Sequence, residues 1–168
     1  MPYLIAELNQ MNQEEFVGAV GAVFEDTPAI AQQAWNSRPF ANITDLHQKM
    51  VVVLSSMSRE EQLALIRAHP DLGSRAKMAE ASVKEQAGVG LDRLTLEEFE
   101  RFHALNQAYK DQFGFPFIVA VKNHTKASIL EAFEHRLQNP VKVEMETAIA
   151  EIAEIARFRL LDLISDSE

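Results

Sequence analysis

The chain has 168 residues, of which 47% are hydrophobic, and its 16 basic and 25 acidic side chains give a net charge of −9 at pH 7. The negative charge argues against binding to nucleic acid or to an anionic membrane surface. The absence of cysteine excludes disulfides, thiolate nucleophiles and thiolate metal sites. A chain of this length and hydrophobicity can bury a core of its own, so we predict a single domain over residues 1–168.

Hydrophobic runs are short throughout the chain. Runs such as VVVL at residues 51–54 and FIVAV at residues 117–121 are far too short to span a bilayer. The first residues also lack the charged and then apolar order of a secretion signal. We therefore expect a cytoplasmic protein with no membrane partner.

Several helices are predicted from their starting residues. Three pairs fit the reciprocal capping box, in which a short polar side chain and a Glu three residues later bond each other's backbone: Asn12 with Glu15, Ser58 with Glu61, and Thr95 with Glu98. Apolar residues recur at the helical spacing in two early segments: Phe16, Val20, Val23 and Phe24 after Asn12, and Leu46, Met50, Val53 and Leu54 after Thr44. We expect these faces to lie in the core.

The second half of the chain continues this pattern. Another apolar face recurs at the helical spacing: Phe99, Phe102, Leu105 and Tyr109. Gly114 is predicted as a left-handed helix stop, Thr125 as the start of a further helix, and residues 141–164 as one long helix. The only strand-like run, FPFIVAVKN, is too isolated to build a sheet. We therefore predict an all-α fold, a helical bundle of about seven or eight helices.

His69 lies at a break between predicted elements, in the stretch RAHPDLGSRA at residues 67–76. Pro70 disfavours helical geometry at the residue before it, so the preceding helix should end there and the imidazole should project from a fixed position. Two interpretations stay open. His69 can complement the negative end of its helix dipole while Asp71 caps the next segment. Alternatively it can act in catalysis, because the pKa of a histidine lies near neutrality.

Three other features allow a structural and a functional interpretation. In SVKEQ, Ser82 and Glu85 fit a capping box, or Glu85 orients an imidazole in a pocket while Gln86 offers a donor and an acceptor. The run FGFPFIVAV is either a helix stop followed by an apolar plug, or an irregular segment whose backbone groups bind a planar heterocycle. Arg159 lies among apolar residues, so we expect a buried guanidinium that either binds a ligand or pairs with a carboxylate.

Other candidate groups favour ordinary structural roles. None of the five histidines forms a His-Glu-x-x-His pair, and Glu131 with His135 is interpreted as a surface pair, so no metal site is expected. The GVG sequence at residues 88–90 follows a helix rather than a strand, which argues against a dinucleotide site. Trp35 is expected to be a bulky core residue.

The order of five segments is more specific than any one of them: TPAIAQQAWNSRPF, LIRAHPDLG, SVKEQAGVGLDRL, LNQAYKDQFGFPFIVAVKN and EIAEIARFRLLDL. Together, over nearly the whole chain, they resemble the 2-oxo-4-hydroxy-4-carboxy-5-ureidoimidazoline (OHCU) decarboxylases of urate degradation. The chain departs from the usual form of that family at Pro28 and Ala29, where a Pro-Trp pair is usual. This departure concerns local packing only.

The resemblance implies an all-α, homodimeric enzyme that needs no cofactor or metal and converts OHCU to (S)-allantoin with loss of carbon dioxide. It implies that His69 is the catalytic histidine and that Glu85 is the catalytic carboxylate that orients it. The substrate-binding residues that it implies are Pro70, Ser82, Glu85, Gln86, Phe117, Ile118, Val119, Ala120, Val121 and Arg159. The expected partners are thus the small molecules OHCU and (S)-allantoin.

The chemistry of OHCU suits this set of groups. Its carboxylated carbon lies beside a C=N bond that can accept the electrons released with carbon dioxide, so neither thiamine nor pyridoxal is needed. Two other classes of function stay open. One is an acidic helical interaction module in which His69 merely ends a helix. The other is hydrolysis of a related ureido compound, which would need an activated water and a metal.

Overall fold

The computed structural model describes residues 2–73 and 80–165. Within these ranges lie nine α-helices: α1 (Ile5–Gln10), α2 (Gln13–Val20), α3 (Ala29–Ala34), α4 (Ile43–Ser56), α5 (Arg59–Arg67), α6 (Glu80–Gly88), α7 (Leu96–Phe113), α8 (Lys126–Arg136) and α9 (Val141–Leu163). Three short 3-10 helices accompany them: Gly21–Val23, Trp35–Ser37 and Val121–Asn123. The prediction of an all-α fold is confirmed. The described ranges contain one or two helices more than the sequence indicated, since the six-residue α1 and α3 are too short for a clear periodic pattern.

The chain divides into two compact units. The first comprises Met1–Leu65 together with Ala153–Glu168, and the second comprises Ile66–Ile152. In the first unit, the only β-type pairing among the described residues is an isolated parallel bridge between Tyr3 and Ile164. A single domain over the whole chain stays a prediction. Among the described residues, no helix combines the length and the apolar content that crossing a bilayer requires.

The three predicted capping boxes are present. At the start of α2, Asn12 Oδ1 accepts a hydrogen bond from Glu15 N at 2.8 Å, and Asn12 N donates to Glu15 Oε1 at 3.0 Å. The pairs that begin α5 and α7 have the same reciprocal arrangement. The apolar face after Thr44 belongs to α4, which begins at Ile43. The cap is Asn42, whose Oδ1 accepts from Asp45 N at 2.8 Å and satisfies an N-terminal amide of the helix.

Thr95→Ala is expected to lower the free energy of unfolding by about 1 kcal/mol. The reason is that Glu98 N, which donates to Thr95 Oγ1 at 3.1 Å, loses its acceptor at the start of α7. Thr95→Asn retains a side-chain oxygen at the cap and should unfold with the same free energy as the parent protein to within about 0.5 kcal/mol. Urea unfolding followed by circular dichroism measures both variants, and equal losses would contradict the capping role.

The predicted apolar faces of the first unit lie in its core. All four residues of the face predicted after Asn12 are buried, as are Leu46, Met50 and Leu54 of α4, whereas Val53 is half-buried. The prediction that Trp35 is a core residue is wrong, because its indole is only half-buried. Trp35 Nε1 donates to Met11 O at 2.9 Å, and the Arg38 guanidinium lies 3.9 Å from the ring centroid. A polar N–H that needs a partner keeps this side chain at the edge of the core.

An aromatic cluster forms the core of the second unit. The Phe117 and Phe133 rings stack with centroids 3.8 Å apart, and Tyr109 meets Phe117 edge-on at 5.3 Å. On α7, Phe102 and Tyr109 are buried as predicted, whereas Phe99 and Leu105 are only half-buried. The cluster therefore holds the strand-like run after α7 against α7 and α8.

That run forms no strand. Gly114 ends α7 with a φ of 82°, in the left-handed conformation predicted for it, and residues 116–120 continue as an irregular buried segment. The prediction that the run is too isolated to build a sheet is confirmed within the described residues.

Candidate active site

His69 lies in the second unit, two residues beyond the end of α5, and its side chain is buried, with 8% of the residue exposed. Its backbone N–H donates to Ile66 O at 3.2 Å, which completes the last turn of the helix. Pro70 follows at once, so the helix ends before it, as the sequence predicted. The imidazole is therefore attached to a non-helical backbone between the end of α5 and Pro70.

Two amide side chains hold the loop that follows His69. Gln86 Oε1, on α6, accepts from Gly73 N at 3.0 Å. Asn106 Nδ2, on α7, donates to Leu72 O at 2.8 Å. Because both contacts are made to backbone groups, they restrain the path of the loop rather than one rotamer. The loop therefore presents His69 from a position defined by two helices.

Asp71 adds an ion pair to the same loop. Lys110 Nζ lies 2.7 Å from Asp71 Oδ2, and Gln86 Nε2 donates to Asp71 O at 3.4 Å. Both ends of the Gln86 amide are thus used on this loop. The interpretation that Asp71 caps the next segment concerns residues 74–79, which lie outside the described residues.

A cleft of about 330 Å³ opens beside this loop in the second unit. Its lining consists of Arg67, His69, Asp71, Lys110, Gly114, Phe115 and Pro116. Arg67 is oriented by two hydrogen bonds from its Nε and Nη2 atoms to Gly114 O, at 3.2 and 3.1 Å. Two cationic side chains and one carboxylate give the lining a local positive charge, although the chain as a whole carries −9. Such a surface favours a small anion.

The SVKEQ segment lies within α6. Ser82 is the third residue of the helix and only 4% exposed, so the interpretation of Ser82 as a helix cap is wrong. Gln86 is also buried and Glu85 is half-buried. The helix packs against the 3-10 helix Val121–Asn123, which directly continues the irregular segment. The second unit thus brings the His69 loop, α6 and the end of the irregular segment close to one another.

All five residues from Phe117 to Val121 are buried, and two helices bind their backbone. Arg136 Nη1, on α8, donates to Ile118 O at 2.6 Å. Ala120 N donates to Glu151 Oε1, on α9, at 2.8 Å. Part of the polar backbone that was expected to bind a ligand is therefore used within the protein.

Arg159 lies in the first unit and is 5% exposed, which confirms the predicted buried guanidinium. Its Nη1 atom lies 3.1 Å from Glu25 Oε1 and 3.5 Å from Val23 O. Arg159 thus pairs with a carboxylate, which was one of the two interpretations. That carboxylate belongs to Glu25, in a turn after the first 3-10 helix. A role of Arg159 in binding substrate stays a prediction.

Histidine and carboxylate groups are dispersed over the described residues, and no three of them form a group that could hold a metal ion there. His47 Nε2 lies 2.8 Å from Ala153 O, and His124 Nδ1 lies 2.9 Å from Ser128 Oγ. Glu131 and His135 are both exposed on α8, in agreement with the interpretation of a surface pair. Within the described residues, His69 is the only histidine whose residue is buried.

The sequence of the chain matches a known protein family. A family model described as OHCU decarboxylase matches residues 9–161 of the chain. The chain belongs to the OHCU decarboxylase family. The resemblance of the five ordered segments to this family is thereby confirmed.

Relatives in the family are similar over nearly the whole chain. An OHCU decarboxylase of Halalkalicoccus jeotgali is 44% identical over 159 residues, which are 95% of this chain and 90% of that protein. A uric acid degradation bifunctional protein of Bacillus subtilis is 42% identical over 98% of this chain, which aligns with only 33% of that longer protein. The family domain thus occurs both by itself and within a larger chain.

Solved structures have the same fold. The crystal structure of (S)-allantoin synthase superposes with a TM-score of 0.80 at 31% identity, over 99% of this chain and 56% of that chain. This chain therefore spans about half the length of that protein. A crystal structure of OHCU decarboxylase in the presence of (S)-allantoin superposes with a TM-score of 0.70 at 24% identity, over 93% of this chain and 100% of that chain, and shows the likeness of fold.

A buried polar cluster that the sequence did not predict lies next to the Phe117–Val121 segment. Glu144, which is 0% exposed, accepts from Arg136 Nε at 2.8 Å, from Tyr109 OH at 2.5 Å and from Asn139 Nδ2 at 2.8 Å. Arg136 also stacks over the Phe117 ring, with its Cζ atom 4.4 Å from the ring centroid. No local motif indicates this cluster, because Tyr109 and Glu144 are 35 residues apart.

Tyr109→Phe is expected to make stability less sensitive to alkaline pH. Burial, and then the hydrogen bond to Glu144, raise the pKa of Tyr109 far above its ordinary value near 10. The folded state thus holds this proton more tightly than the unfolded state does. Protonated Tyr109 therefore makes its full contribution to the free energy of unfolding below about pH 10. As the pH rises further, this contribution falls by up to about 1.4 kcal/mol per pH unit.

Urea unfolding of both proteins at a series of pH values from neutrality to above pH 10 measures this effect. The difference in the free energy of unfolding between the parent protein and Tyr109→Phe should shrink as the pH rises. A difference that stays constant across that range would contradict the raised pKa.

Proposed function

We propose that this protein removes carbon dioxide from OHCU and forms (S)-allantoin, with no cofactor. The observation that carries this function is membership of the OHCU decarboxylase family over residues 9–161. Support comes from relatives named as OHCU decarboxylases that are 40 to 44% identical over almost their whole length. The solved (S)-allantoin synthase, at 31% identity, supports the S configuration of the product.

The substrate itself supplies the electron sink for the reaction. The bond between the ring carbon and the carboxylate breaks, and its electron pair moves into the ring while the adjacent C=N bond becomes a C–N bond. This leaves an enol that must receive a proton at the neighbouring carbon, which carries the ureido group. The protein therefore has to bind an anion, move protons and shield one face of a planar ring.

His69 suits the proton transfer. Its imidazole is buried on a restrained loop beside a positively charged cleft, and an imidazole can both accept and donate a proton. It either takes the proton of the hydroxyl group on the departing carbon or returns a proton to the enol. Acid–base catalysis of this kind contributes about 10²–10⁴-fold to the rate.

The other predicted site residues would hold the imidazole and the ring. Glu85 orients the tautomer of His69, and Ser82 and Pro70 contact the bound substrate. Gln86 acts through the backbone of the His69 loop, because both ends of its amide bind there. The Phe117–Val121 segment binds the planar ring, and Arg159 binds an anionic or carbonyl oxygen of the substrate. Protonation from one face then gives the S product.

A homodimer and a cytoplasmic location complete the proposal. Val141 and Val143 are large apolar side chains that are exposed at the start of α9, and a protein contact there would cover them. Analytical ultracentrifugation at several concentrations tests the dimer, and a mass equal to one chain throughout would contradict it. The lack of cysteine suits a reducing compartment, and fractionation of the source cells tests the location.

The activity is tested by generating OHCU in situ from urate and following the circular dichroism of allantoin. We expect the protein to accelerate formation of the S isomer in proportion to its concentration, and to do so equally after treatment with a chelator. If the S isomer forms no faster than without protein, the proposed function is wrong. Loss of activity on chelation would contradict a reaction without a metal.

A further inference from the structure

We propose that Glu151 is a positioning residue, which holds the Phe117–Val121 backbone in place for the substrate; this rests on the function proposed above. Glu151 lies on α9, 31 residues after the group that it binds. Its carboxylate accepts from Ala120 N at 2.8 Å, while Ala120 has extended backbone dihedrals, φ −77° and ψ 96°. An irregular segment thereby receives a fixed contact that its own local structure does not provide.

A second contact holds the same segment two residues earlier. Arg136 Nη1 donates to Ile118 O at 2.6 Å, and Arg136 is itself fixed by Glu144. Residues 118 and 120 are thus each bound to a different helix. The residue between them, Val119, is held from both sides without being bound itself.

The peptide groups of Val119 are buried and available to a ligand. Val119 is 5% exposed, and within residues 2–73 and 80–165 its backbone N–H and C=O make no hydrogen bond to the protein. Buried peptide groups are nearly always paired, so such a group needs a partner of another kind. A planar heterocycle with ring N–H and carbonyl groups offers both the donor and the acceptor that this peptide lacks.

The contact with Glu151 therefore matters for the precision of binding. Without it, Ala120 N–H is left unpaired, and the segment can move toward another acceptor while Arg136 still holds Ile118. Hydrogen bonds weaken steeply when their distances and angles depart from the ideal, so a displaced segment binds the ring less tightly. The hydrophobic burial of the five side chains, by contrast, does not depend on the carboxylate.

Glu151→Ala is expected to raise KM for OHCU about tenfold or more, which corresponds to the loss of a hydrogen bond to a charged group. The value of kcat should change less, because His69 is untouched. Titration calorimetry with (S)-allantoin should give a similar loss of affinity. Glu151→Gln keeps an oxygen acceptor and should restore both values to within about threefold of the parent protein.

Two further variants make the result decisive. Glu151→Asp keeps the charge but shortens the side chain, so it should resemble Glu151→Ala even if the alanine variant folds poorly. Glu146→Ala removes an exposed glutamate of the same helix and should leave KM unchanged. An unchanged KM in Glu151→Ala or Glu151→Asp, or a failure of Glu151→Gln to restore it, would overturn the positioning role. An inactive parent protein would instead overturn the proposed function.

Discussion

His69→Asn should lower kcat for OHCU decarboxylation by about 10²–10⁴-fold, the usual contribution of a positioned acid or base. Asparagine retains a polar side chain of moderate size but cannot take up and return a proton near neutral pH. Gln86 and Asn106 bind backbone atoms of the loop after residue 69, and both contacts remain in the variant. The variant should therefore lose the reaction and keep the fold.

The assay is the formation of (S)-allantoin from OHCU generated in situ, together with thermal unfolding. His103→Asn is the matched control, since His103 is exposed on α7 in the same unit. It should keep the parent rate. A rate in His69→Asn that stays within about threefold of the parent would remove His69 from the mechanism, because that is far less than acid–base catalysis contributes.

Glu144→Ala is expected to lower the free energy of unfolding by about 3–5 kcal/mol, the usual cost of leaving one member of a buried ion pair alone. Glu144 is fully buried and accepts hydrogen bonds from three side chains, of which Arg136 carries a permanent charge. Its removal leaves a buried guanidinium beside Phe117 without its counter-charge. Since proteins are stable by only about 5–15 kcal/mol, this variant should lie near the limit of folding.

Urea unfolding followed by circular dichroism gives the size of this loss. Glu146→Ala, two residues further along α9 and exposed, should stay within about 0.5 kcal/mol of the parent. The double variant Arg136→Met with Glu144→Leu removes both charges. Its loss should be smaller than the sum of the losses measured for Arg136→Met alone and Glu144→Leu alone. Additive losses would show that the two charges do not stabilise each other.

Helix starts were predictable from the sequence because capping is a local interaction. Asn12, Ser58 and Thr95 each bind the backbone three residues ahead, and that distance is visible in the sequence. The errors are also local. The cap of α4 was not predicted, although Asn42 binds the backbone three residues ahead like the other caps. Ser82 matches a cap but lies inside α6.

The candidate site was predictable in part. The order of the five segments led to the family, and the position of Pro70 correctly implied that the helix before His69 ends there. The sequence did not show that Gln86 uses both ends of its amide on the loop after His69. The Gln86 amide offers the same donor and acceptor whether it binds a substrate or the loop backbone. Only the position of the loop in the structure shows which partners it has.

The sequence by itself determined the helical class, several helix boundaries, the left-handed stop at Gly114 and the family, because these depend on periodicity, on short-range hydrogen bonds or on ordered motifs. Only the tertiary structure decided how buried polar groups are paired. Glu144 with Arg136, Glu151 with Ala120 and Glu25 with Arg159 join parts of the chain that are 8, 31 and 134 residues apart. A buried charge must find a partner wherever packing brings one close, and no local pattern specifies that partner.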